Sequence, residues 1–523
     1  MKLSELHVDN FKAAVGLKLD LSDMTALVGV NGSGKSTILE ALDHFFRGTD
    51  IPQDSYRDPE KAVTISVKFI QIPRSKKPAL ITRTWRWVGE ECVIDTKALG
   101  LKLSDPDNII NSVHMVFEHA EHETDDDGTD KSGLDLVKMI KSTISEEISK
   151  ADLTALFAQS NDYYQNLGNS IAEFRDIMNQ KLEGGADDPT GYAPGSTVDF
   201  RVRGPDPEPD IDTKLIEGGL DLSHKLAGHG TKRAYHMAAL EAYAEMSSRR
   251  ENGRLVLMLV DEPELHQHPQ RLRRILQTYK KLADKPSVQI VYSTHSPELV
   301  DLEAPGGIYR ISRDPERNIV ANSGSDLDED MSHWSTSKSL AEGIFSTGVI
   351  LVEGARDEAV LGAAFSAVDI GGKSAMKCLI ENNIHIIHTT GVSHMPDFVQ
   401  FFRTLGVPLF AIWDADMKGS GAKDNKAVLD ALGNGIQFDA QANGLAFPPA
   451  PDHLCFANDA GTYFKDHLGF EGAPDTAETK AKIKRAISDA ENMVPRFKTD
   501  KFFASEFATS IVPHIYNFFP KPA

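Results

Sequence analysis

One stretch of the chain has the residue types and spacing of a phosphate-binding loop. It runs from Gly29 to Ser36 and fits the pattern G-x-x-x-x-G-K-[ST] at every fixed position. Glycines let backbone N–H groups close around phosphate oxygens, the lysine can reach the β- and γ-phosphates, and the serine hydroxyl can hold Mg²⁺. An apolar strand pattern precedes the stretch and a helical pattern follows it, so the alternative of a simple glycine turn is less favoured. The residues predicted to bind ATP with Mg²⁺ are Asn31, Gly32, Ser33, Gly34, Lys35, Ser36 and Thr37.

Two later apolar runs could supply the rest of a nucleotide site. The run 255–260 ends in Asp261 and Glu262, and the run 288–293 ends just before His295. An aspartate at the end of a buried strand can complete the shell of Mg²⁺, and the following glutamate can orient the attacking water. A histidine at a neighbouring strand end can sense the γ-phosphate by hydrogen bonding. The alternative for His295 is an ordinary loop histidine.

Acidic residues follow two more apolar runs in the last third of the chain. These runs are 348–352 and 408–413. Parallel α/β sheets place ligands at the carboxyl ends of their strands, and carboxylates are natural ligands of Mg²⁺ or Mn²⁺. Two such ions can stabilise the attacking and leaving oxygens of a phosphodiester. The alternative is ordinary strand-end acids. The residues predicted to bind one or two metal ions are Glu353, Asp357, Asp414 and Asp416.

Composition limits the classes of function that are open to the chain. The 523 residues include 56 Lys and Arg against 77 Asp and Glu, a net charge of −21, which argues against nonspecific coating of nucleic acid. Basic clusters at 271–274 and 480–501 could form a local groove or simply solvated helix faces. No apolar run approaches the roughly 20 residues that span a bilayer. The three cysteines are far apart in sequence, so we predict a cytoplasmic protein without disulfides and without a membrane partner.

The order of these patterns predicts an α/β protein with two domains and an insertion. Within the insertion, residues 131–182 have helical periodicity, whereas residues 184–212 are rich in Gly, Pro and Asp, a composition that favours a loop with one short strand at 198–202. The predicted segments are an ATPase domain in two parts, 1–120 and 215–335, the insertion 121–214 between them, and a C-terminal domain, 336–523.

The nucleotide motifs together resemble the ABC-type ATPase family, in its soluble branch of DNA-repair and nuclease ATPases. In that family, a signature segment of one subunit completes the ATP site of another. The segment Leu226–Arg233 is similar to this signature, which implies that Gly228 and Gly230 contact ATP in a partner subunit. Gly228 stands where the family usually has serine. The contact with the γ-phosphate is therefore left to backbone N–H groups and a helix N-terminus.

The four strand-end acids resemble the Toprim domain of topoisomerases, primases and certain nucleases. An ABC-type ATPase followed by a Toprim domain resembles the OLD (overcoming lysogenization defect) family of ATP-dependent endonucleases. That resemblance implies a helical dimerisation element at 121–214. It also implies a further acid and a lysine, for which Asp459 and Lys501 are the nearest candidates. The residues to which it assigns catalysis are Glu262, His295, Glu353, Asp414, Asp416 and Lys501.

The resemblance leaves two main functional hypotheses. The first is a homodimeric DNA nickase or endonuclease, metal-dependent at the Toprim site and regulated by the ATPase, in phage defence or DNA repair. The second is an ATP-gated DNA-binding repair clamp whose Toprim domain is a non-catalytic scaffold. A transporter subunit would leave residues 336–523 unexplained. The Gabija defence nucleases share the two-domain plan, which adds a partner helicase as an open alternative.

Overall fold

A computed structural model gives the architecture of the chain in two compact units. The N-terminal unit comprises residues 1–300 and 311–321, and the C-terminal unit comprises residues 301–310 and 322–523. The domain boundaries predicted from sequence stay predictions. The structure describes residues 1–72, 77–99, 106–118, 160–184, 191, 193, 195–203, 210–217, 220–222, 237–239, 241–242, 245, 255–265, 269–327, 338–414, 421–432, 453–456, 508 and 511–519.

The first sheet of the N-terminal unit has five antiparallel strands in the order β2-β1-β4-β5-β6. Alternate residues of β5 are buried, among them Ile81 and Trp85, as expected for a strand with one face on the core. The antiparallel pair predicted at 62–72 and 80–88 is confirmed as β4 and β5. The strands are β1 Lys2–Asp9, β2 Leu17–Asp20, β4 Val63–Ile70, β5 Ala79–Val88 and β6 Glu91–Leu99.

The second sheet has six strands in the order β14-β13-β3-β12-β11-β7. Strands β3, β12, β11 and β7 run parallel to one another, and every residue of β11 and β12 is buried. Continuous burial explains why β11 is uniformly apolar and why β12 is largely apolar rather than alternating. The carboxyl ends of β3, β11 and β12 therefore meet at one edge. The strands are β3 Met24–Val28, β7 Val113–Glu118, β11 Leu255–Val260, β12 Val288–Thr294, β13 Ile308–Arg313 and β14 Ile319–Ser323.

Four helices with defined bounds lie among the described residues of this unit. Helix α1 begins at the predicted phosphate-binding lysine, and α4 begins at Pro269, where proline suits the first helical turn. In α4, Leu272, Ile275 and Tyr279 are buried, which confirms the apolar face predicted from their spacing. The helices are α1 Lys35–Arg47, α2 Pro106–Ile110, α3 Ser160–Glu183 and α4 Pro269–Ala283.

The insertion contains a small sheet, of which the sequence prediction included one strand. The strands β8 Ser196–Arg203, β9 Asp210–Glu217 and β10 Leu220–Leu222 form an antiparallel sheet in the order β10-β9-β8. The short strand predicted at 198–202 is confirmed as part of β8, whereas the prediction of a loop is wrong for the start of β9. The proline-rich residues come between two paired strands in sequence, and their composition led to the prediction of a loop at the start of β9. A hydrogen bond joins helix α3 to β8, in which Asn179 Nδ2 donates to Val198 O at 3.1 Å. The predicted helical residues 131–159 lie outside the described residues.

The C-terminal unit is built on a parallel four-stranded sheet in the order β18-β15-β19-β20. Its core includes Val352, Phe365, Phe410 and Ile511. The strands are β15 Gly348–Val352, β18 Ile384–His388, β19 Leu409–Asp414 and β20 His453–Phe456, and the short hairpin is β16 Asp369–Ile370 with β17 Lys373–Ser374. The helices are α5 Lys338–Ile344, α6 Ala355–Ala367, α7 Ala375–Glu381, α8 Met395–Thr404, α9 Gly421–Ala431 and α10 Val512–Phe518.

Cys92 and Cys378 are free thiols. Within the described ranges, no helix combines the length and the apolar character needed to cross a membrane.

Candidate nucleotide and metal sites

The glycine-rich loop connects the end of β3 to the start of α1. Gly29 has φ +145° and Gly34 has φ +110°, both in the left-handed region that favours glycine. The loop is also closely packed. A Cβ atom on Gly29 would lie 2.3 Å from the carbonyl oxygen of Ile311, and one on Gly34 would lie 2.5 Å from Ile319 Cδ1. Side chains are therefore excluded at both positions, and the backbone N–H groups of the loop stay accessible to a ligand.

Lys35 and Ser33 give this loop the donors that suit a phosphate. The buried Lys35 Nζ donates to the carbonyl oxygens of Gly29 and Val30, both at 3.1 Å. Burial lowers the pKa of Lys35 to about 8, against the opposing charges of nearby carboxylates. Ser33 Oγ is buried and has no hydrogen-bond partner. An ammonium, a buried hydroxyl and loop amides form a donor set that fits the phosphates of a nucleotide.

Asp261 joins the loop helix to the two central strands. Ser36 Oγ donates to Asp261 Oδ1 at 3.1 Å, and Ser293 Oγ donates to the same carboxylate oxygen. The hydroxyl of Ser293 also accepts the backbone N–H of Glu262 at 3.0 Å. A hydroxyl and a carboxylate in contact are the oxygen ligands that Mg²⁺ prefers. Ser36 and Asp261 therefore fit the metal that accompanies a nucleotide.

Glu262 and His295 lie in direct contact beside Lys35. His295 Nε2 lies 3.0 Å from Glu262 Oε1, and His295 Nδ1 lies 3.4 Å from Lys35 Nζ. Burial, with a smaller effect of the Lys35 charge, lowers the pKa of His295. A neutral ring that accepts from Lys35 through Nδ1 donates to Glu262 through Nε2. Glu262 has φ +48°, an uncommon conformation for a residue with a side chain, and such strain concentrates at functional sites.

Three further residues contribute to this site and were missed by the sequence prediction. Ser293 bridges Asp261 and the main chain of Glu262, as described above. Glu264 accepts the backbone N–H of His295. Arg313 donates to the carbonyl oxygen of Gly32 at 3.2 and 3.1 Å. Two weak signals were present in the sequence. Ser293 is a polar residue near the end of an apolar strand, and Glu264 is the last acid of the run D-E-P-E. Arg313 had no local signal, because its partner lies 281 residues away.

The carboxyl edge of the parallel sheet in the C-terminal unit carries three of the four predicted metal ligands. Glu353 follows β15, Asp357 lies in the first turn of α6, and Asp414 is the last residue of β19. Strands β15 and β19 are paired in parallel, which places Glu353 and Asp414 at the same edge. Asp357 Oδ2 also accepts the backbone N–H of Gly354 at 3.0 Å, so it caps α6.

Several predicted site residues lie outside the described residues. They are Gly228, Gly230, Asp416, Asp459 and Lys501. Among the residues that are described, no three His, Cys, Asp or Glu side chains are grouped closely enough to hold a metal ion. The metal site predicted at the edge of the parallel sheet therefore stays a prediction.

The segment after β18 holds the main chain of Glu353. Gly391 N donates to Glu353 O at 2.8 Å, and Thr389 N donates to Val352 O at 2.9 Å. Thr390, between these donors, has φ +63°, which is rare for a β-branched residue. The sequence prediction did not include this segment. Its effect is to fix the backbone that carries one of the predicted metal ligands.

Comparison with known proteins gives two family matches on this chain. The AAA ATPase domain family matches residues 1–161 and 106–300, and the "Overcoming lysogenization defect protein-like, TOPRIM domain" family matches residues 344–416. The chain is 21% identical to the Old nuclease of Escherichia phage P2 over 466 residues, covering 80% of this chain and 77% of that protein. It is 22% identical to the OLD nuclease of Thermus scotoductus over 454 residues, covering 79% and 82%.

Among solved structures, the chain is similar to an Smc head bound to the C-winged helix domain of ScpA. The identity is 15% and the TM-score is 0.43, and the match covers 62% of this chain and 98% of that one.

Proposed function

The chain belongs to the AAA ATPase domain family and carries an OLD-like TOPRIM domain, and on that premise we propose that it is an ATP-hydrolysing, metal-dependent DNA endonuclease. The observation that carries the proposal is that one chain combines two kinds of phosphate chemistry. The N-terminal unit brings Lys35, Glu262 and His295 into contact, and the C-terminal unit places Glu353 and Asp414 at one sheet edge. Relatives that match over about four fifths of the chain are named nucleases.

In the ATPase reaction, Lys35 and the loop amides bind the phosphates, and Ser36 with Asp261 holds the Mg²⁺ that neutralises their charge. The Glu262 carboxylate accepts a hydrogen bond from the attacking water and orients it. The ring of His295 lies between Lys35 and Glu262. When the phosphate of the nucleotide replaces Glu262 as the partner of Nε2, this N–H donates to the phosphate. The position of these groups at the common edge of β3, β11 and β12 supports this assignment of roles.

In the nuclease reaction, carboxylates hold one or two Mg²⁺ or Mn²⁺ ions, which supply Lewis-acid stabilisation of the phosphodiester oxygens. We assign the metal to Glu353, Asp357, Asp414 and Asp416, with Asp459 as a further ligand and Lys501 as a cation near the reacting phosphate. Glu353 can alternatively take a proton from the attacking water, and its backbone is held by the segment after β18. DNA is the proposed substrate.

The test is plasmid nicking by Asp414→Ala protein, measured beside its ATPase rate. Loss of a metal ligand should abolish nicking in Mg²⁺ or Mn²⁺, by about 100-fold or more. ATP hydrolysis should stay near the wild-type rate, because its groups lie in the N-terminal unit. Asp416→Ala and Glu353→Ala should behave in the same way. Asp430→Ala, an exposed acid on α9 of the same unit, is the matched control and should nick normally.

The competing hypothesis of a repair clamp with a non-catalytic TOPRIM scaffold makes the opposite prediction. A clamp would bind DNA in an ATP-dependent way, and purified wild-type protein would leave a supercoiled plasmid intact in Mn²⁺. Nicking that persists unchanged in Asp414→Ala protein would also contradict our assignment, since the cutting would then come from elsewhere.

We further propose that the chain forms a homodimer. The signature segment with Gly228 and Gly230 has to come from a second subunit to contact ATP, and the insertion with α3 offers additional surface for the contact. Light scattering should give the mass of at least a dimer in the presence of ATP, and a monomer under all conditions would contradict the proposal. A partner helicase, a role in phage defence and a cytoplasmic location remain hypotheses.

A further inference from the structure

The turn after β11 contains a second acid, Glu264, that the ATPase mechanism above does not use. It lies two residues after Glu262, in a turn closed by a hydrogen bond from Leu265 N to Glu262 O at 3.0 Å. Glu262 is itself the first residue of this turn, and the backbone N–H of His295 donates to the turn at Glu264. Glu264 is therefore close to the reacting groups without being one of them.

One oxygen of Glu264 has a defined partner. Glu264 Oε1 accepts the backbone N–H of His295. His295 is the residue whose ring contacts Glu262 Oε1 at 3.0 Å on one side and Lys35 Nζ at 3.4 Å on the other. The hydrogen bond ties the turn after β11 to the end of β12, and so it sets where the ring of His295 lies.

The other oxygen has no partner. Glu264 Oε2 is buried and makes no hydrogen bond. Burial is the main cause that raises the pKa of Glu264. The N–H groups of His295 and of Glu264 itself and the Thr294 hydroxyl oppose this effect, and the Glu262 carboxylate adds a smaller increase. An ionised oxygen without a donor is far more costly to bury than a neutral one. The contact with His295 requires an acceptor oxygen, which a neutral side chain also provides.

We propose that Glu264 is a positioning residue for ATP hydrolysis, which holds the main chain at His295 through an accepted hydrogen bond and needs no negative charge to do so. This inference rests on the proposed ATPase function. The proposal gives the two neighbouring acids different roles, since Glu262 orients the attacking water with its carboxylate whereas Glu264 has only to accept hydrogen bonds. The same isosteric substitution should therefore have opposite effects at the two positions.

The test compares Glu264→Gln with Glu262→Gln in steady-state ATP hydrolysis. A glutamine at 264 keeps an acceptor oxygen, so kcat should stay within about threefold of wild type, as expected when one hydrogen bond is preserved. Glu262→Gln should bind ATP and hydrolyse it at least 100-fold more slowly, on the order of the loss of a key catalytic group. Glu264→Ala and Glu264→Asp both lose the hydrogen bond, and kcat should fall about tenfold with little change in KM for ATP.

Two results would overturn the inference. Glu264→Gln as inactive as Glu262→Gln, with ATP binding intact, would mean that the charge of Glu264 is required. Glu264→Ala or Glu264→Asp with the wild-type kcat would mean that the hydrogen bond positions nothing of consequence. A thermal melt identifies a variant that does not fold, and the remaining variants then decide. A wild-type protein that does not hydrolyse ATP would count against the proposed function instead.

Discussion

The two regions that carry strand-end acids are organised differently. In the N-terminal unit the acids contact other functional side chains directly, as Asp261 contacts Ser36 and Glu262 contacts His295. In the C-terminal unit, Glu353 and Asp414 share the edge of a parallel sheet, and the hydrogen bond of Asp357 goes to the backbone of its own helix. The first region is connected through side-chain contacts such as these, and in the second the parallel pairing of two strands brings two acids to one edge.

The difference follows from how much of each site is local in sequence. The phosphate-binding loop is a single stretch between a strand and a helix. The residues that accompany it, Asp261 and His295, directly follow β11 and β12, which belong to the same parallel sheet. The predicted metal site needs residues from several segments, from Glu353 to Lys501, which the chain has to bring together. A contiguous motif can be set by local folding, but a dispersed one depends on the packing of a whole unit.

The largest effect that we expect comes from Lys35→Ala. The variant loses the ammonium group of the phosphate-binding motif, which contacts the carbonyl oxygen of Gly29 in the loop. The affinity for ATP should therefore fall by about 100-fold or more. Glu262→Gln protein should bind ATP with near-normal affinity and hydrolyse it slowly. Titration calorimetry with ATP and a phosphate-release assay measure the two quantities separately.

The same pair of variants probes whether the two regions work independently. If the N-terminal network only regulates cutting, both variants should retain a basal nicking activity in Mn²⁺ that Asp414→Ala lacks. Normal ATP turnover in either Lys35→Ala or Glu262→Gln would contradict the assignment of the network.

The nucleotide site could be predicted from the sequence because each part has a strong local signal. The fixed spacing of the loop, the buried runs of β11 and β12 and the acids that follow them are all visible within a few residues. Ser293 and Glu264 were missed because their roles depend on contacts about 30 residues away, such as Ser293 with Asp261. The start of β9 was missed because the prolines before it dominated the composition of the segment.

The C-terminal edge was predictable only in outline. Burial of β15 and β19 could be inferred from their apolar runs, and parallel pairing then put Glu353 and Asp414 at one edge. Nothing near Glu353 in sequence indicates that Gly391 donates to its carbonyl oxygen and Thr389 to that of Val352, since both donors come from the segment after β18. The capping role of Asp357 was equally hidden, because a first-turn acid is typical both of helix caps and of metal ligands.

The smallest expected effect concerns Asp357, which is where a cap and a metal ligand can be told apart. Asp357→Asn keeps an oxygen that can accept the N–H of Gly354 but removes the charge that a metal requires. Asp357→Ala removes both and should also lower the free energy of unfolding by about 1 kcal/mol, the usual loss for a helix cap. We expect nicking to fall roughly tenfold in both variants, with partial recovery at high Mn²⁺, because one of several ligands is lost. Glu358→Gln is the matched control, because it also removes a charge from the first turn of α6, and the Glu358 carboxylate contacts His388 at 2.6 Å.

One outcome would make Asp357 a helix cap alone. In that outcome, Asp357→Asn protein nicks like the wild type at low Mn²⁺, while Asp357→Ala protein is destabilised. The predicted metal ligands at this edge would then be Glu353, Asp414 and Asp416, with Asp459 still to be tested.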